Sequence, residues 1–162
     1  MLILSDTHLS DAAALPAAVL AAADKADHIV HAGDHSTLEI VSVLEQFAPV
    51  TAVHGNVELP DVYARLPRQA TARIGSLTFG VVHDAGATSG RHLRLARELP
   101  DCDVRVYGHS HMPEMSHLED GSWVINPGSP VQRRQAPFHS FAWLTIDAGV
   151  VNVELVNIDD AG

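Results

Sequence analysis

The sequence predicts an α/β protein of four layers, α/β/β/α, in which two mixed β-sheets face each other with helices outside. Three observations predict it. The first half alternates short apolar runs with helix-favouring stretches, and the second half is nearly all β. Five apolar runs, at 1–4, 28–32, 50–53, 77–82 and 103–107, each end in His, Asp or Asn. Buried parallel strands read as short Val/Ile/Leu runs, and open α/β folds bind ligands just outside the carboxyl ends of such strands. Five polar clusters in series therefore describe a pocket.

Taken in order, strand 2–4 precedes an Ala-rich segment, 12–24, whose composition favours helix. A strand at 29–32 and a helix at 38–47 follow, and Pro49 ends that helix. Strand 50–53 completes a βαβαβ alternation, which implies parallel strands joined by right-handed crossovers. Runs 70–74 and 77–82 flank Gly75-Ser76, a two-residue hairpin signal. A helix over 91–99 leads to strand 104–107. The rest reads as strands 114–118, 122–125, 141–146 and 151–156, with turns at Asp120-Gly121 and Ala148-Gly149. The stretch 127–137 is the best candidate for a mobile loop. With no repeat, linker or low-complexity tract, one domain over residues 1–162 is expected.

The totals exclude several classes. A net charge of −10 argues against a DNA or RNA surface, which relies on Lys and Arg to neutralise phosphates. A pocket holding divalent ions would still be locally positive, so a small phosphorylated substrate remains compatible with an acidic chain. No stretch approaches the ~20 apolar residues that span a bilayer, so no membrane partner is expected. The first apolar run stops at Ser5 with no basic residues before it, and reads as a strand rather than a signal peptide. Cys102 is the only cysteine, which rules out an internal disulfide and points to a reducing, cytoplasmic compartment. Exposed β edges in the second half could support a homo-oligomer.

The pocket candidates are oxygen and imidazole donors without a thiolate, a set suited to first-row divalent metals. In Asp6-Thr7-His8 two donors two residues apart can share one side of an extended segment, although Asp6 could equally cap a helix or a turn. Asp34 follows a strand buried on both faces, where a carboxylate is costly unless paired or metal-bound. It could also cap the following helix, and His35 reads best as an exposed neighbour. Asn56, after Gly55, fits a tight turn as well as a ligand. His83 ends a strand, and Gly108-His109-Ser110-His111 is the sharpest signal, since two imidazoles one residue apart can serve two adjacent ions. His28, His31, His54, His92, His117 and His139 read as structural or solvent-facing. Arg133 and Arg134, after the Asn126-Pro127-Gly128-Ser129 turn, could reach a phosphate.

In order, Asp6-x-His8, Gly33-Asp34, Gly55-Asn56, His83 and Gly108-His109-x-His111 resemble the signature of the calcineurin-like metallophosphoesterases. The match runs from residue 6 to the turn at 126–129. It looks most like the small bacterial and archaeal phosphodiesterases of that family, a branch that includes the metallophosphoesterase-like scaffold subunit of the eukaryotic retromer. The resemblance implies the metallophosphoesterase fold and two divalent metal ions, Mn²⁺ first, with Fe, Zn or Ni as alternatives. One ion would sit on Asp6, His8, Asp34 and His111, and the other on Asp34, Asn56, His83 and His109, with Asp34 bridging. It implies hydrolysis of a small phosphodiester or nucleotide-like substrate by a hydroxide between the ions, with Asp34, Asn56 and His109 as the catalytic residues.

Two departures from the family pattern stand out. Many relatives carry a histidine where this chain has Val57, followed by Glu58, which removes the usual general acid. After His83 comes Asp84-Ala85-Gly86 rather than glycine, so Asp84 either orients a histidine ligand or caps a loop. Two alternatives to the phosphodiesterase are a non-catalytic scaffold on the same fold and a phosphomonoesterase. All seven candidate ligands keep competent donors, which favours the enzyme.

Overall fold

The computed structural model describes residues 1–147 and 150–160. Among the described residues, ten strands form two five-stranded sheets. The first sheet runs β10-β9-β1-β2-β3, with β1 (Leu2–Leu4), β2 (Ile29–His31), β3 (Val50–Ala52), β9 (Ser140–Asp147) and β10 (Val150–Asn157). The second runs β4-β5-β6-β8-β7, with β4 (Gln69–Ile74), β5 (Leu77–Val82), β6 (Val104–Val106), β7 (Glu114–His117) and β8 (Trp123–Asn126). Each sheet has a parallel trio, β1/β2/β3 in one and β5/β6/β8 in the other, flanked by antiparallel strands.

Three apolar clusters correspond to the three contacts between four layers. Between the sheets lie Ile3, Val30, Val53, Phe79, Val81, Val106, Ile125 and Leu144. Leu2, Leu4 and Ile29 point the other way, onto α1 (Ala17–Ala23) and α2 (Leu38–Leu44) through Val19, Ile40 and Leu44. On the far side Leu95, within α4 (Arg91–Glu98), and Leu99, just after it, meet Val82, Tyr107 and Val124. Side chains alternate across a strand, so every second residue of β1 serves a different interface. This is the predicted α/β/β/α sandwich.

The elements differ locally from expectation in four places. The Ala-rich segment is two pieces, a 3₁₀ turn at Ala12–Ala14 and then α1, because Pro16 forces Leu15 out of the helical region (ψ 131°). Helix α2 ends at Leu44, and the next three residues continue only as turns. A short helix, α3 (Pro60–Arg65), was not anticipated; Pro60 at its first turn and Asp61 beside it are its start signals. The first half of the expected mobile loop, Pro127 to Pro130, is buried. Gly75-Ser76 does close a two-residue hairpin, with Ile74 opposite Leu77. The expected turn at Ala148-Gly149 lies outside the described residues.

Candidate metal centre

Every polar cluster read from the sequence follows a strand of one of the two parallel trios, and all of them meet where the carboxyl ends of the trios converge. The chain must leave each strand sharply to aim a side chain back at that point. Asp6, His8, Asp34, His109 and His111 all adopt left-handed backbone, with φ of 55°, 47°, 57°, 66° and 57°. Asp and His tolerate this region better than most residues, yet each instance still costs of order 1–3 kcal/mol. Five strained residues at one point mark a functional site. Gly55 and Gly108 make the convergence possible: a Cβ on Gly55 would overlap the Asp34 carboxylate, and one on Gly108 would overlap Ser5 Oγ.

Hydrogen bonds fix which lone pairs face the centre. His83 Nδ1 donates to the Ala32 carbonyl at 2.7 Å, so the neutral ring presents the Nε2 lone pair, 3.3 Å from Asp34 Oδ2 and 2.9 Å from Asn56 Oδ1. His111 Nδ1 donates to the Gln132 carbonyl, which turns its Nε2 lone pair toward Asp6 Oδ1 at 3.3 Å and His8 Nε2 at 3.1 Å. His8 Nε2 is also 3.5 Å from Asp34 Oδ2. His109 Nδ1 lies 3.0 Å from Asn56 Oδ1, on the more open side of the centre. The outer oxygens of both aspartates are occupied. Asp6 Oδ2 accepts from His109 N at 3.0 Å, and Asp34 Oδ1 accepts from Asn56 N at 2.8 Å and Val57 N at 3.0 Å. Asp6 Oδ1, fully buried, has no hydrogen-bond partner.

The centre is therefore a set of lone pairs facing lone pairs, which only a cation or extra protons can reconcile. Burial alone would raise the Asp6 carboxyl, but the imidazoles of His111, His8 and His83 hold it well below the usual carboxylate range. Asp34 is lowered in the same way: His83 and the Val57 and Asn56 amides outweigh its burial. Burial alone would lower His83, but the hydrogen bond that a protonated Nε2 can donate to Asp34, together with the charges of Asp6 and Asp34, raises it. The donor set fits divalent metal. Asp6, His8 and His111 form one group of converging ligand atoms, and Asp6, Asp34 and His83 form a second. All seven residues singled out in the sequence are brought together. Asp6 and Asp34 each reach donors of both halves, so the bridging position is not Asp34's alone by geometry.

Other expectations resolve differently. His35 is buried rather than exposed, its ring centroid 3.9 Å from that of His31 with the planes tilted by 32°, and its Nδ1 3.1 Å from Glu58 Oε1. Glu58, which carries no metal-ligand motif of its own, belongs to the support of the site. Its buried carboxylate accepts from His35 N (3.2 Å), Ser36 N (2.7 Å) and Gly55 N (2.9 Å), tying the Asp34 loop to the Asn56 loop. Its place next to Val57 was the only local signal. Asp84 is exposed and accepts from Gly86 N at 2.7 Å, so it caps its own loop and does not orient a ligand. Arg133 donates to the Ala136 carbonyl at 2.8 Å rather than turning to the centre. Ser129 supports Asp6 by donating to its carbonyl at 2.7 Å.

A two-sheet sandwich with paired carboxylates and imidazoles at its parallel strand ends defines a metallohydrolase class of protein. The chain belongs to the calcineurin-like phosphoesterase superfamily, whose domain model matches residues 1–149. It is 36% identical over 150 residues to a probable metallophosphoesterase of Methanocaldococcus jannaschii, covering 90% of this chain and 74% of that one. A predicted phosphoesterase of Streptococcus pneumoniae TIGR4 superposes with a TM-score of 0.76 at 26% identity, covering 98% and 88% of the two chains. Vps29 of Entamoeba histolytica, complexed with zinc, shares the fold with a TM-score of 0.72 at 23% identity, covering 96% and 97%.

Proposed function

We propose that this protein is a metal-dependent phosphodiesterase acting on a small phosphodiester or nucleotide-like substrate. The observation that carries the reading is the buried, unpartnered Asp6 Oδ1 facing the Nε2 lone pair of His111. Two divalent ions, Mn²⁺ first among them, would activate water and neutralise the charge that builds on the phosphoryl group. Asp34 and Asp6, reaching both halves of the centre, would hold the two ions at a fixed separation. The Ala32 and Gln132 carbonyls keep His83 and His111 in the tautomer that ligates. Asn56 and His109, on the open side, would face the substrate.

Position 57 is valine and 49% exposed, so no imidazole stands there to protonate a leaving group. A positioned general acid typically contributes ~10²–10⁴-fold, so the enzyme should favour esters with good leaving groups. The test is hydrolysis of bis(p-nitrophenyl) phosphate by chelator-stripped protein, with and without Mn²⁺. Mn²⁺-dependent turnover that disappears in Asp34→Asn is expected. Bound metal without turnover in Mn²⁺, Ni²⁺, Fe²⁺ or Zn²⁺ would overturn the reading.

Val57 and the fold shared with zinc-complexed Vps29 favour a second reading, a non-catalytic, metal-binding interaction module, which that negative result would support. A phosphomonoesterase would instead hydrolyse p-nitrophenyl phosphate faster than the diester.

A further inference from the structure

Asn56 forms a wall shared by two clefts of different chemistry. On one side a cavity of about 190 Å³ is lined by His54, Arg68, His83 and Asp84. On the other a groove of about 290 Å³ is lined by Ser10, Ser36, Thr37, Val57 and Leu59.

The first cleft offers a free cation. Arg91–Glu114 is the one arginine–carboxylate pair among the described residues, so Arg68 is exposed without an acidic partner. Beside it the His54 ring is held in place, its Nδ1 2.9 Å from the Gly55 carbonyl and its centroid 4.9 Å from that of Tyr63 in a T-shaped pair. Asp84, the one acid on this wall, is engaged by the Gly86 amide. The second cleft is apolar at its rim. Val57 is 49% exposed and Leu59 54%, and Thr37 Oγ1 is buried with no partner.

A phosphomonoester has one arm and needs one cleft. Two unlike clefts meeting at a residue of the metal centre fit a phosphorus with two unlike substituents. We propose that the site takes an asymmetric phosphodiester, with an arm bearing a further anionic group, such as a second phosphate, in the Arg68 cleft and an apolar or aromatic arm over Val57 and Leu59. This deepens the phosphodiesterase reading and rests on it.

The test compares two Mn²⁺-dependent reactions: thymidine 5′-(p-nitrophenyl phosphate), and the same ester carrying a 3′-phosphate. The nitrophenyl group supplies the aromatic arm of both. A charge-assisted contact to Arg68 should lower KM for the 3′-phosphorylated ester about tenfold. Arg68→Gln should abolish that difference while leaving bis(p-nitrophenyl) phosphate hydrolysis within about twofold of wild type. Asp84→Asn should widen it, since it removes the opposing charge from the same wall. Calorimetric binding of thymidine 3′,5′-bisphosphate against thymidine 5′-monophosphate gives a readout independent of turnover, and should follow the same order in the three proteins. Equal loss on both esters in Arg68→Gln would place the guanidinium on the scissile phosphate and overturn the proposal, as would no loss on either. In both cases wild-type turnover of bis(p-nitrophenyl) phosphate keeps the phosphodiesterase reading standing. Absence of all wild-type turnover removes that reading, and this one with it.

Discussion

At the scale of single residues, the centre is a place where local preferences are overruled together. Asp6, Asp34 and His83 are coupled, and their shifts set a pH window for the metal-free protein. Asp6 and Asp34 are lowered from 3.8, so their contribution to stability is present above that pH and lost as pH falls through their folded values. His83 is raised from 6.5, so its contribution is full below 6.5 and lost as pH rises through its folded value. Urea denaturation of chelated protein should therefore show the cluster's greatest contribution between pH 3.8 and 6.5. Metal binding has the opposite slope above 6.5, because His83 must be neutral to ligate. Titration of Mn²⁺ affinity against pH checks that. A second residue-scale prediction concerns Glu58. Glu58→Ala leaves the amides of His35, Ser36 and Gly55 without their acceptor. The cost should be about 3 kcal/mol in thermal or urea unfolding, with weakened Mn²⁺ affinity as the two ligand loops separate. The seven converging candidate ligands were legible in the sequence because each follows a strand in a repeated pattern. Glu58 and His35 were not, since their pairing spans 23 positions and leaves no local trace.

At the scale of elements, strands were easier to read than helix boundaries. Runs such as 77–82 coincide with β5, because the last four residues of that strand are buried and a buried strand beside a parallel neighbour reads as a nearly continuous apolar run. The composition of the Ala-rich segment favours one helix, but the proline at position 16 resets the backbone and divides it. The loop after β8 shows the reverse error: glycine and proline suggested mobility, yet Ser129 anchors it. Besides donating to the Asp6 carbonyl, Ser129 Oγ accepts from Val131 N at 3.2 Å and Gln132 N at 2.8 Å. Gln132 in turn holds His111 through its carbonyl. Ser129→Ala should cost about 1–3 kcal/mol and loosen the segment that follows. Faster tryptic cleavage after Arg133 and Arg134, measured beside wild type, is the expected sign, and unchanged cleavage would show that the loop is held by other contacts.

At the scale of the whole molecule, the inter-sheet core and the metal centre are separate sources of stability. Phe79 is fully buried between the sheets, and Phe79→Ala should cost about 3–5 kcal/mol in equilibrium unfolding while leaving Mn²⁺ affinity per folded molecule nearly unchanged. Removing metal should act from the other end. Ions bind only the folded arrangement, so saturating Mn²⁺ at about 100 times its Kd should stabilise by about 2.7 kcal/mol, seen as a rise in Tm that Asp34→Asn abolishes. The sequence by itself determined the four layers, the parallel pairing of the first three strands and the seven candidate donors, because strand periodicity and strand-end chemistry are local patterns. The second parallel trio, β5/β6/β8, appeared only in the structure. Only the tertiary structure decided that Asp6 reaches both halves of the centre, that Glu58 ties two loops together, and that Asn56 stands between two unlike clefts. Those relations join residues distant along the chain, and they exist only once two sheets have packed face to face and brought their strand ends to one point.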